Sequence, residues 1–246
     1  MIYTEYGAEN EKTVVLLHGG GLAQWGYEAV AKLLADSYHI ILPVLDGPGD
    51  SDRNFESIED SASYIIEFID INFNGKIFAI GGLSLGGQIA LEILSKRKDI
   101  CQYAFIESAL VLPSKLTAVL TKPMIDLSYF LISKPWFARL QFDYLKINPD
   151  LFQQYYIDSC KISKENMISF LKANSLYTIK PGLKDSESEV LIMAGEKEIK
   201  NIIKSAYIIK DTIPNSRLEI IPELYHGQLS MNKSEKYISL FEKHIK

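Results

Sequence analysis

Cysteine is nearly missing from this chain. Only Cys101 and Cys160 occur, too few for a disulfide framework and without metal-like spacing, so they read as free thiols in a reducing compartment such as the cytoplasm. A basic run is missing too, and the net charge is −5, which argues against nucleic acid as a partner. Long apolar runs are absent, so stable membrane insertion is not expected. The opening residues, MIYTEYGAENEKT, show no basic region followed by an apolar core, and no signal peptide is expected. Internal repeats and low-complexity tracts are also lacking. What remains is an ordinary globular composition, 47% hydrophobic and 23% charged over 246 residues, enough for one large core and compatible with one domain or two.

The most informative stretch is Lys76 to Arg97, KIFAIGGLSLGGQIALEILSKR. Ile77 to Ile80 form a continuous apolar run, as a strand buried on both faces requires. Ile89, Ile93 and Leu94 then fall at helical spacing. Between them, Gly82-Leu83-Ser84-Leu85-Gly86 matches G-x-S-x-G, the signature of a sharp strand-to-helix elbow with the serine at its apex. Such a turn strains the serine backbone and lifts its hydroxyl clear of the sheet. Its neighbours must be small where strand and helix come close, and Gly82, Gly86 and Gly87 are. The N–H of Leu85, opening the helix, would point at charge developing near Ser84.

Upstream, Ile2 to Tyr6 reads as an edge strand and Thr13 to Leu17 as a buried one. The latter runs into His18-Gly19-Gly20-Gly21, whose bare backbone N–H groups could form an oxyanion hole. Leu22 to Asp36 reads as a helix with Trp25, Val30, Leu33 and Leu34 on its apolar side. Tyr38 to Val44 is a strand, followed by the turn Asp46 to Asp52. A helix from Glu56 to Phe73 precedes the elbow, and Gln102 to Ser108 is the next strand. Repeated strand–helix alternation with continuous apolar strands predicts an α/β protein: a mostly parallel sheet covered by helices on both faces. Ligands in such sheets bind beyond the carboxyl ends of the strands.

From residue 110 to 184 no strand is expected. Helical segments punctuated by prolines and crowded with aromatics suggest a lid inserted between 1–109 and 185–246, which together form the core. Most of those aromatics are expected to pack the insert's own helices. The core resumes with strand Glu189 to Gly195, a helix from Ile199 to Thr212, strand Arg217 to Pro222, and a closing helix from Lys233 to Ile245.

A serine needs a base. Of four histidines, His39 lies in a strand and His244 near a helix C-terminus where a cation is favoured, both read as structural, and His18 stands before the glycines it would brace. His226, in a loop after the last strand, can reach back to Ser84. Its imidazole needs a carboxylate to hold the tautomer. Glu198 and Glu196 follow the preceding strand, and Glu107 ends the strand after the elbow. Carboxylates not so used are expected to be solvated.

Together these stretches resemble the α/β-hydrolase-fold serine hydrolases over nearly the whole chain. VVLLHGGG is similar to that family's oxyanion strand, VLDGPGDSD to its Asp-rich loop, GGLSLGG to its elbow, VLIMAGEKE to its acid strand and LEIIPELYHG to its histidine loop. The resemblance implies Ser84, Glu198 and His226 as a triad, with Gly20 and Leu85 donating to the oxyanion. Glu198 occupies the acid position three residues past Gly195, and Glu107 a position that some members use instead. The departures are Glu where Asp is usual, Pro48 where His is frequent, and a short N-terminus with its first strands reduced.

The implied activity is hydrolysis of a small or medium carboxylic ester with an apolar moiety, without cofactor or metal. A thioesterase, amidase, acyltransferase or carbon–carbon hydrolase would use the same triad. An alternative is a ligand-binding protein on the same scaffold with slow turnover or none. Oligomeric state is not legible.

Overall fold

The computed structural model describes residues 1–47 and 50–246; Pro48, one of the departures noted above, lies outside the described residues. The chain runs β1 (Tyr3–Tyr6), β2 (Thr13–Leu17), α1 (Glu28–Leu34), β3 (His39–Pro43), α2 (Ile58–Asn72), β4 (Ile77–Leu83), α3 (Leu85–Lys96) and β5 (Cys101–Glu107). Four helices follow without a strand: α4 (Lys115–Ser128), α5 (Pro135–Leu145), α6 (Phe152–Lys161) and α7 (Lys164–Leu176). The chain closes with β6 (Glu189–Gly195), α8 (Lys200–Thr212), β7 (Ser216–Ile221), α9 (Gln228–Asn232) and α10 (Ser234–His244).

The seven strands form one sheet in the order β1-β3-β2-β4-β5-β6-β7. All described pairs are parallel except β1 on β3, the antiparallel edge. From β2 the chain steps outward to β3, then returns to place β4 on the other side of β2. The crevice between the carboxyl ends of β2 and β4 is therefore a topological switch point, where sheets of this kind hold ligands.

Strand residues alternate between two cores, as a period of two requires. Val15, Leu17, Ile41, Ile80, Ile106 and Ile192 meet α2, α3 and α8 on one face. Val14, Leu16, Ile40, Phe105, Leu191 and Met193 meet α1 and α10 on the other. Helix starts follow local chemistry. The Ser57 side chain accepts from the Asp60 N–H (3.0 Å), with Glu59 and Asp60 in the first turn of α2.

One expectation fails, that of a single helix from Leu22 to Asp36. Gln24–Tyr27 forms a 3-10 turn before α1 rather than part of one long helix. Trp25 there donates its indole N–H to Asp158 (2.9 Å), which a continuous helix would not require, and Leu33 faces solvent. His244, read as structural, is buried against the rings of Tyr103 and Phe105, and desolvation lowers its pKa. Most of the aromatics between β5 and β6 pack as expected, while Phe130, Trp136 and Tyr144 are exposed. Both cysteines are free, Cys101 buried and Cys160 exposed.

Candidate active site

Ser84 sits between the last residue of β4 and the first of α3, at φ 53° and ψ −111°. A non-glycine residue at positive φ is strained and is held there by its surroundings. Two close approaches hold it. A Cβ on Gly82 would lie 2.3 Å from the carbonyl oxygen of Gly86, and one on Gly86 would lie 2.1 Å from that of Leu17. No side chain fits at either place. The Ser84 N–H donates to the Glu107 carbonyl (2.8 Å), pinning the turn to β5.

Leu85 is the first residue of α3, so its N–H has no intrahelical acceptor. Gly20, in the loop after β2, lies against it: a Cβ on Gly20 would be 3.2 Å from Leu85 Cδ2 and 3.3 Å from Phe170 Cδ2 of α7. The switch point thus brings the glycine loop and the start of α3 together. His18 braces this loop. The Leu45 N–H donates to its Nε2 (3.2 Å), so Nδ1 carries the proton and donates to the Gly19 carbonyl (2.9 Å). Burial lowers its pKa to about 4, and the ring stays neutral.

His226 lies beyond the carboxyl end of β7. Its neighbour Gly227 abuts Leu83, the residue before Ser84: a Cβ there would lie 3.2 Å from Leu83 Cδ2. His226 Nδ1 is 2.7 Å from Glu198 Oε2. A carboxylate can only accept, so Nδ1 donates, and in the neutral ring Nε2 keeps its lone pair. The Glu198 side chain is 1% exposed against 41% for His226, so the carboxylate sits beneath the ring. Its other oxygen accepts from Ser108 Oγ (2.6 Å) and from the Gly195 N–H (2.8 Å). Among the described residues, no hydrogen bond joins the Ser84 hydroxyl to His226. Such contacts often tighten only when substrate is bound.

The other two carboxylates go elsewhere. Glu196 is exposed, and its Oε2 accepts from the Glu223 N–H (3.2 Å). Glu107 is buried at the end of β5, contrary to the expectation of a solvated group. Its Oε1 accepts from the Ser230 N–H of α9 (3.3 Å), and its Oε2 has no partner. Burial pushes its pKa up to about 7, with the nearby Glu198 adding to the rise. The equally buried hydroxyls of Tyr27 and Tyr237 are also unpartnered.

Sequence reasoning missed Ser108 and Ser230. Ser108 has positive φ, 56°, one residue past β5, and nothing in its local sequence announces a partner 90 residues away. No cluster of three or more His, Cys, Asp or Glu suited to a metal occurs among the described residues.

The architecture has known counterparts. A model of the alpha/beta hydrolase family matches residues 14–227. An uncharacterized hydrolase of Saccharomyces cerevisiae is 32% identical over 101 residues, covering 38% of this chain and 34% of that protein. The match thus spans about a third of that relative's own length. Among solved structures, an esterase from Exiguobacterium antarcticum matches with a TM-score of 0.83 at 22% identity, over 99% of this chain and 94% of that one. An enol-lactonase from Burkholderia xenovorans matches with a TM-score of 0.84 at 14% identity, over 99% and 95% of the two chains. At these identities the likeness to the solved structures is one of fold.

Proposed function

The chain belongs to the alpha/beta hydrolase family, and we propose that it is a serine hydrolase cleaving small or medium carboxylic esters with an apolar moiety. The observation that carries this reading is the 2.7 Å contact of Glu198 with His226, whose neighbour Gly227 abuts Leu83, the residue before the strained apex Ser84. Ser84 Oγ attacks the ester carbonyl carbon while His226 Nε2 takes its proton. The tetrahedral oxyanion accepts from the N–H groups of Leu85 and Gly20. Collapse breaks the bond to the alkoxy oxygen, and His226 returns the proton to it. Water, deprotonated by the same imidazole, then attacks the acyl group and frees Ser84. Glu198 orients the ring and stabilises the imidazolium throughout.

The four helices between β5 and β6, within residues 110–184, are read as a lid. Phe170 of α7 lies against Gly20. Gln88 of α3 donates to the carbonyls of Leu110 (2.7 Å) and Asn174 (3.0 Å), tying both ends of the segment to the nucleophile helix. Two unpaired cysteines fit a reducing, cytoplasmic setting.

The deciding experiment pairs a fluorophosphonate probe with a panel of esters and thioesters of graded acyl length. Covalent label on Ser84, lost in Ser84→Ala, together with ester turnover supports the reading. Label elsewhere, or binding without turnover of any substrate, overturns it. Turnover of thioesters alone moves the substrate class and leaves the machinery standing.

A further inference from the structure

Helix α4 turns its apolar face outward. Ala118 and Thr121 are buried against the protein. On the opposite side Leu116, Val119, Leu120, Met124 and Leu127 recur at helical spacing and are exposed, Leu116 by 71% and Leu127 by 79%. Phe130 continues the stripe in the next turn, at 65%. An amphipathic helix on a soluble surface normally points such a stripe inward, and a contiguous exposed patch of this kind marks an interaction surface. A shallow groove of about 330 Å³, lined by Leu116, Leu120, Met124 and Leu171, runs between α4 and α7.

The charge around it is mostly positive, with Asp126 on α4 and Glu165 on α7 as the acidic exceptions. Residues 110–184 hold ten Lys and Arg against five Asp and Glu, a net +5, while the rest of the chain, with 16 against 26, carries −10. Lys115 and Lys122 border the stripe on α4, and Lys164 and Lys172 lie on α7. Lys122 and Lys164 share Asp126, whereas Lys115 and Lys172 form no ion pair among the described residues. An apolar helix face flanked by lysines is the pattern of a helix lying in a membrane interface, where anionic headgroups attract each cation. A two-fold contact between copies through α4 would instead bring two cationic segments together.

We propose that the exposed face of α4 docks on an anionic lipid surface, with Leu116, Val119, Leu120 and Leu127 entering the headgroup–acyl boundary and the lysines at headgroup level. The contact is interfacial; no described helix is long and apolar enough to cross a membrane. It does not require hydrolysis, so Ser84→Ala should bind as the unaltered protein does.

The test is co-sedimentation of the full chain with vesicles of phosphatidylcholine alone or with roughly one third phosphatidylglycerol. The anionic vesicles should bind at least about tenfold better. The double variant Leu116→Gln/Leu127→Gln should lose about tenfold or more of that binding. Lys115→Gln and Lys122→Gln should each lose about fivefold on anionic vesicles only. Leu127→Gln alone, at the most exposed position of the stripe, keeps the test valid should the double variant fail to fold by circular dichroism. The proposal is overturned if the protein stays in the supernatant with both vesicle types, or if the leucine variants bind undiminished. It is equally overturned if light scattering shows a dimer that Leu127→Gln dissociates.

Discussion

Glu198 meets His226 at 2.7 Å through one carboxylate oxygen while the other is held by Ser108 and by the Gly195 N–H at the end of its own strand. Three donors thus fix a buried carboxylate beneath a half-exposed ring. Glu198→Gln keeps the shape and replaces an acceptor-only group by an amide. We expect kcat to fall by about 10⁴, because the imidazole loses the partner that sets its tautomer. Glu196→Gln, on the surface, should change kcat by less than about twofold. Steady-state kinetics of both variants, with folding checked by circular dichroism, decides between them; a near-normal Glu198→Gln would move attention to Glu107.

Ser108→Ala removes one of those three donors. A hydrogen bond to a charged acceptor contributes about 1.5–3 kcal/mol, and part of that should appear as lost orientation of His226. The expected result is a drop in kcat of roughly tenfold with KM little changed. A variant that raises KM alone would show that Ser108 acts on substrate binding and not on the acid.

Glu107 carries a pH signature in stability. Burial raises its folded-state pKa to about 7, above the ordinary value of an unfolded glutamate. The folded chain therefore binds more protons between those values. The contribution of Glu107 to stability is full below about pH 4 and is lost as pH rises through 7, by up to about 3 kcal/mol. Glu107→Gln should flatten this slope, so that urea midpoints at pH 8 move toward or above those of the unaltered protein. An unchanged slope would show that Glu107 ionises normally.

His18 acts with the opposite sign. Its pKa is lowered to about 4 in the fold. Its contribution is present above about pH 6.5 and is lost as pH falls through 4, by up to about 3 kcal/mol. His18→Asn should shed that acid sensitivity while weakening the glycine loop at neutral pH. Midpoints of urea unfolding from pH 4 to 8 read both effects.

If residues 110–184 close over an apolar pocket, longer acyl chains should lower KM until the pocket is full, each CH₂ contributing up to about 0.8 kcal/mol. Ester series of increasing chain length measure this directly. KM indifferent to chain length, or better for charged acyl groups, would remove the lid from the reading.

Much of the fold was written in local pattern. Continuous apolar strands such as Val14 to Leu17 and Ile77 to Ile80 can only be buried on both faces, and helices between them can only make the sheet parallel. The elbow was legible because Gly82 and Gly86 have no substitutes where a Cβ would lie within 2.3 Å of a backbone carbonyl oxygen. Tertiary structure decided what spacing along the chain cannot. Glu196 and Glu198 lie two residues apart, and only the turn after β6 settles which of them faces inward to His226. Ser108 finds Glu198, and Glu107 finds Ser230, across 90 and 123 residues. Helical segments were legible between β5 and β6, but only the packing of Ala118 and Thr121 against the protein set the leucines of α4 toward solvent. Periodicity sets which residues share a face, and only long-range contact sets where that face points.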